Sequence, residues 1–294
     1  MTPLQLVRLS DLVKLTPGDP AITVALIDGP VALSHAYLAD AAIREIPSSL
    51  PSTCTRTDSV ACAHGTFVAG ILAARRGAIV PGICPGCTFL LRPIFGEAGH
   101  ANGPMPSARP ETLAQAIVES VNAGARVVNL SSALIRGSHH GDRELVQALD
   151  YAAHRGAIVV AAAGNQGLVG SSVITHHSWV VPVTACDAGG KPLSEANLGS
   201  SIGRRGLSAP GENITSLAAN GEIQTMSGTS AAAPFVTGAI ALLWSEFTNA
   251  TAAEIRMAIS ASRTVRRRSI APPVLDAWAA YQALSSVQSG RRVA

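Results

Sequence analysis

Four polar residues in this chain stand where acyl-transfer chemistry needs them. Ser230 lies in residues 226–234 (MSGTSAAAP), directly ahead of an apolar stretch long enough for a buried helix. A serine at a helix start sits beside unpaired backbone N–H groups and the positive end of the helix dipole. Those groups can stabilise an oxyanion on an attacked carbonyl, and Gly228 lets the backbone turn tightly into the helix. A plain Ser/Thr helix cap shows the same local pattern. His64, in residues 63–70 (AHGTFVAG), opens a second helical run. The small residues after it permit close approach of another segment, and its imidazole can take a serine proton. A partly buried structural histidine is the competing reading. Asp28 ends a continuous apolar strand. A carboxylate at the edge of a core needs partners, because burying it unpaired is costly. Orienting an imidazole would supply one, and so would a turn cap at Gly29-Pro30. Asn165, in residues 159–167 (VVAAAGNQG), follows another apolar strand. Its amide can point at a developing oxyanion or serve as a turn residue.

Taken in chain order, these segments resemble the subtilase family of serine peptidases. The resemblance rests on residues 24–29 (VALIDG), the His-Gly-Thr at His64, the Gly-Thr-Ser-Ala-Ala-Ala-Pro around Ser230 and the Ala-Ala-Gly-Asn ending at Asn165. Asp before His before Ser is the subtilisin order and differs from that of chymotrypsin or the α/β-hydrolases. The likeness covers roughly residues 22–261. It implies an α/β, three-layer subtilisin-like fold with a central, mostly parallel sheet covered by helices on both faces. It further implies that Asp28 orients His64, that His64 acts as general base and then general acid, and that Ser230 forms an acyl-enzyme resolved by water. The Asn165 side chain and the Ser230 N–H would form the oxyanion hole. Residues 130–133 (LSSA) and 161–164 (AAAG) match the two stretches that line the subtilase cleft. Ser131, Ser132, Ala133, Ala162, Ala163 and Gly164 are therefore the expected peptide-binding residues, meeting an extended peptide as an added strand.

Two departures narrow the expectation. Residues 132–134 (SAL) replace the usual Leu-Gly-Gly beside the cleft, which should reshape that side and restrict specificity. Only about twenty residues precede the first strand, against the long inhibitory propeptide of secreted subtilases. Residues 28–35 (DGPVALSH), 80–87 (VPGICPGC), 93–95 (PIF), 122–125 (NAGA) and 207–212 (LSAPGE) are similar to the N-terminal proteases of cyanobactin (patellamide-type) biosynthesis. Those enzymes are cytoplasmic and remove the leader of a ribosomal precursor peptide. A general intracellular subtilisin-like protease and an inactive peptide-binding scaffold are the alternatives. The resemblance requires no cofactor; calcium is common among subtilases, but no calcium ligands can be assigned here.

The elements that must position these residues are short apolar strands alternating with helical patterns. Strands are expected at residues 22–27, 89–94, 126–130, 157–163 and 180–185. Helices are expected at residues 64–75, 110–122, 142–155, 229–247 and 252–260. Such alternation, with fully apolar strands, predicts a parallel sheet covered on both faces, with ligands beyond the carboxyl ends of the strands. Residues 195–220, rich in Gly, Ser and Asn, are expected to hold loops and short antiparallel strands, and residues 96–110 a surface loop. The domain reading is an N-terminal extension (1–21), a peptidase domain (22–285) and a frayed tail (286–294).

Composition excludes several classes. A hydrophobic fraction of 47% with 14% charged residues suits one large buried core. A net charge of +3 without basic-aromatic motifs argues against a nucleic-acid partner. The basic run at residues 263–268 reads as a solvated turn or a partner site. No stretch has the eighteen or so apolar residues of a membrane span, and no secretory signal is evident, so the expected location is the cytoplasm. The five cysteines do not form a disulfide framework. Local bonds between Cys84 and Cys87 or Cys54 and Cys62, free thiols, and a zinc site using the CxxC all stay open.

Overall fold

The computed structural model describes residues 1–97, 108–131, 139–260 and 269–293. After two short helices, α1 (Pro3–Leu6) and α2 (Ser10–Leu15), come β1 (Thr23–Asp28), β2 (Ala42–Glu45), α3 (Val60–Ala73) and β3 (Thr88–Pro93). Then follow α4 (Pro110–Asn122), β4 (Val127–Leu130), α5 (His139–His154), β5 (Ile158–Ala162), α6 (Val173–His176) and β6 (Val181–Cys186). The chain closes with α7 (Ser200–Arg205), β7 (Leu207–Pro210), β8 (Ile214–Leu217), β9 (Ile223–Met226), α8 (Thr229–Glu246), α9 (Ala252–Ser260) and α10 (Ala277–Val293).

Seven strands form one parallel sheet in the order β2-β3-β1-β4-β5-β6-β7. Every residue of β1 is buried, because alternate side chains enter two different cores. Val24 and Leu26 join the core under α3 and α8, whereas Ala25 and Ile27 join the core under α4 and α5. This is the expected three-layer α/β arrangement, and it explains why β1 reads as a continuous apolar run. β1 lies between β3 and β4, where the strand order reverses. Its carboxyl end is therefore the crevice at which open α/β sheets place ligands. Asp28 is that end.

α8 is apolar on nearly all sides, and it packs against β4, β5, β6, β7 and α3. Its length is what places Ser230 at the carboxyl end of the sheet. Pro234, inside the helix, cannot donate to the Ser230 carbonyl one turn earlier.

Four expectations change. Residues 195–220 hold α7 and β7, and β7 pairs parallel with β6, so it extends the main sheet; only β8, with β9, is antiparallel. The expected tail from residue 286 continues α10 as far as Val293. The helix carrying His64 starts at Val60, so Cys62 and His64 both lie in its first turns. The N-terminal extension shares the core: Val7, Leu9 and Leu12 are fully buried, and the Ala277 N–H bonds the Val7 carbonyl. Most of the loop expected at 96–110, the altered cleft segment 132–134 and the basic run 263–268 lie outside the described residues.

Candidate active site

β1 delivers Asp28 and α3 delivers His64 to one point. Their backbones can meet because glycines face each other there. A Cβ on Gly29 would lie 2.1 Å from the Ala61 carbonyl oxygen, and one on Gly65 would lie 2.4 Å from that of Pro30. The resulting His64 Nδ1 to Asp28 Oδ1 distance is 2.7 Å, and both residues are buried. Asp28 can only accept, so Nδ1 carries the proton and donates it, leaving the Nε2 lone pair for a substrate-side proton. The Gly29 N–H also donates to Asp28 Oδ1, at 2.7 Å. Asp28 Oδ2 is buried without a hydrogen-bond partner among the described residues. Burial works against a charged imidazole, but the charge and hydrogen bond of Asp28 outweigh it. The His64 pKa is consequently raised above its ordinary value.

Ser230 is half-buried, second in α8 after Gly228 and Thr229. Gly228 has φ +130°, a left-handed conformation that disfavours any side chain. Asn165 is exposed, three residues beyond β5. The Thr229 N–H donates to Asn165 Oδ1 at 2.8 Å, and Thr229 Oγ1 accepts from the Gly164 N–H at 3.1 Å. With Oδ1 so engaged, Nδ2 is the free donor end of the amide, beside the start of α8. Two groups suited to an oxyanion, the Asn165 amide and the Ser230 N–H in the first turn of α8, thus share one place, since the neighbouring Thr229 N–H is taken by Asn165 Oδ1 and those of Ala231 and Ala232 by the Gly228 carbonyl.

Of the expected cleft residues, Ser131, Ala163 and Gly164 are buried and Ala162 is half-buried at the carboxyl ends of β4 and β5. Ser132 and Ala133 lie outside the described residues. Sequence reasoning missed Asn129, fully buried in β4. Its Nδ2 donates to Ser131 Oγ and its Oδ1 accepts from Thr237 of α8, both at 2.7 Å. The available signal was a lone amide in an otherwise apolar strand. Thr229 and Asn197 were missed as well.

Cys54 and Cys62 form a disulfide that ties the preceding loop to α3 two residues from His64. Cys84, Cys87 and Cys186 are buried free thiols. Glu97 lies close to the disulfide sulfurs. Its carboxylate accepts from the Thr55 and Arg56 N–H groups and the Thr55 hydroxyl, and disulfide sulfurs are not thiolate ligands. Arg126, Arg155 and Trp244 line a cavity of about 270 Å³ at the opposite, amino ends of β4 and β5, away from this chemistry.

The subtilase family model matches residues 19–275. The chain belongs to the subtilase family. It is 32% identical over 242 residues to the thermostable alkaline protease of Halalkalibacterium halodurans, covering 82% of this chain and 62% of that protein. The chain thus spans about six tenths of that relative's length. Among solved structures, a mutant of the protease domain of PatA matches with TM-score 0.82 and 33% identity, over 92% of this chain and 97% of the other. The prenylagaramide maturation protease PagA matches with TM-score 0.81 and 30% identity, over 94% and 98%. Among the described residues, no helix is long and apolar enough to cross a membrane.

Proposed function

We propose that this chain is a serine endopeptidase working through Asp28, His64 and Ser230. The observation that carries the reading is the buried Asp28–His64 hydrogen bond of 2.7 Å at the sheet's switch point. Ser230 Oγ attacks the scissile carbonyl while His64 Nε2 takes its proton. The positive charge that develops on the imidazole is held by Asp28. The carbonyl oxygen, now anionic, is bound by Asn165 Nδ2 and the Ser230 N–H. His64 returns the proton to the leaving amine, and a water activated by the same Nε2 then resolves the ester. Side chains and backbone supply every step, so no cofactor is required. The peptide lies extended between the chain at Leu130 and Ser131 and residues 161–164.

The substrate class is a ribosomally made precursor peptide, cut where the leader meets the core. Its support is the set of cyanobactin-type segments together with the likeness to PatA and PagA. Such a precursor would be met in the cytoplasm. Cleavage of precursor peptides followed by mass spectrometry tests the reading. One preferred cut that disappears in Ser230→Ala supports it. Unselective digestion by wild type would favour a general protease, and no turnover a binding scaffold.

A further inference from the structure

Asn165 can serve an oxyanion only if its backbone is held in place, yet it sits exposed in a loop beyond β5. Thr229 fixes the amide's carbonyl oxygen. The peptide on either side of Asn165 is held by a different residue, Asn197. The Asn197 N–H donates to the Gly164 carbonyl at 2.8 Å. Its Nδ2 donates to the Ala163 carbonyl at 3.1 Å and to Gln166 Oε1 at 2.7 Å. Its Oδ1 accepts from the N–H groups of Gln166 and Leu168, at 3.1 and 3.0 Å. A side-chain amide has two donors and two acceptor lone pairs, and all four are committed to the loop that carries Asn165. Asn197 is itself anchored to the sheet, because the buried Thr184 of β6 donates to its carbonyl at 3.2 Å. The flanking chain continues the hold: the Gly167 N–H bonds the Glu195 carbonyl and the Leu198 N–H that of Leu168.

We propose that Asn197 is a positioning residue for catalysis, the strut that holds Asn165 at the distance an oxyanion requires. The proposal rests on the endopeptidase reading. Asparagine is the residue type that fits: aspartate would set a carboxylate oxygen against the Ala163 carbonyl and Gln166 Oε1, and alanine would leave the loop unbraced. The strut acts on the transition state, since the donor meets a negative oxygen only there. Its loss therefore lowers kcat and spares KM.

The test is a double-mutant cycle with Asn165, read as kcat and KM on a cleavable peptide, with thermal unfolding alongside. Asn197→Ala and the near-isosteric Asn197→Asp are each expected to lower kcat roughly 10- to 100-fold with KM within about threefold. In the Asn165→Ala background, where no donor remains to be placed, the same changes should cost less than about threefold. A purely structural role would lower kcat by the same factor in both backgrounds, and that result overturns the proposal. So does a folded Asn197→Asp with wild-type kcat. Asn197→Asp keeps the acceptor for Gln166 and Leu168, so it carries the test if Asn197→Ala does not fold. A wild-type chain inert to peptides and to fluorophosphonate would instead remove the endopeptidase reading, and this proposal with it.

Discussion

Replacing Gly228 by alanine should disable the oxyanion hole without touching a triad member. A Cβ at this position would lie 2.8 Å from Asn165 Nδ2 and 3.2 Å from Asn165 Cγ. Ordinary contact begins at 3.4 Å, so the amide reaches it by withdrawing 3.4 − 2.8 = 0.6 Å. A donor set about 2.9 Å from an oxyanion would move to about 3.5 Å, beyond useful hydrogen bonding. Loss of one such donor in subtilisin costs about 10²–10³ in kcat, or about 2.7–4 kcal/mol of transition-state stabilisation. The expected result is a fall in kcat of about 100-fold with KM little changed, measured on a chromogenic peptide amide. Alanine at φ +130° also carries backbone strain of about 1–3 kcal/mol, so the melting temperature should drop as well. Gly221→Ala separates the two effects. Gly221 has φ +91°, with nothing within 4 Å of its Cβ position. It should lose stability and keep its kcat. Wild-type kcat in folded Gly228→Ala, or an equal loss in Gly221→Ala, would refute the reasoning.

Asp28→Asn should lower kcat by about 10⁴, because the asparagine no longer enforces the Nδ1–H tautomer; steady-state kinetics on the folded variant checks this. In wild type, kcat/KM should rise with pH along a limb above the ordinary histidine value of about 6.5, since the His64 pKa is raised and only the neutral imidazole acts as base. Stability runs the other way. The charged His64–Asp28 pair contributes fully below the unfolded histidine pKa, and that contribution fades as pH climbs through the raised folded value. Melting curves across this window should fall as activity rises. Reduction of the Cys54–Cys62 bond, which closes a sequence separation of 8, should cost about 2.5 kcal/mol by the loop-entropy relation. Dithiothreitol should lower the melting temperature of wild type and leave a Cys54→Ser, Cys62→Ser variant unmoved.

The parts of this fold that sequence made legible are those with local physics behind them. β1 was readable because both of its faces are buried and a carboxylate stops it. The bounds of α4 and the start of α9 agree with the sequence residue for residue, through a proline at the start of α4 and amphipathic spacing in both. β7 is four residues ending in proline, inside a stretch whose composition predicts loops and short antiparallel strands; its parallel place comes from pairing with β6, which no local pattern announces. β2 is a largely exposed edge strand, with no apolar period to read. α10 meets the core through Ala277, Ala280 and Leu284, too faint an apolar stripe to mark it. In the site, Asp28, His64, Asn165 and Ser230 each stand in a recognisable local context. Asn197 does not: its bonds to Gln166 and Leu168 span 31 and 29 residues, and nothing around it in the chain points to them. The same holds for Asn129 and Thr237, joined across 108 residues.

The central claim is that Ser230 is a nucleophile activated by His64. A fluorophosphonate reacts with such a serine and with few others, and peptide mass spectrometry of the treated protein locates the adduct. One equivalent on Ser230 is expected, absent in Ser230→Ala and strongly slowed in His64→Ala. Folded wild type that takes no label, or takes it on another residue, would contradict the account.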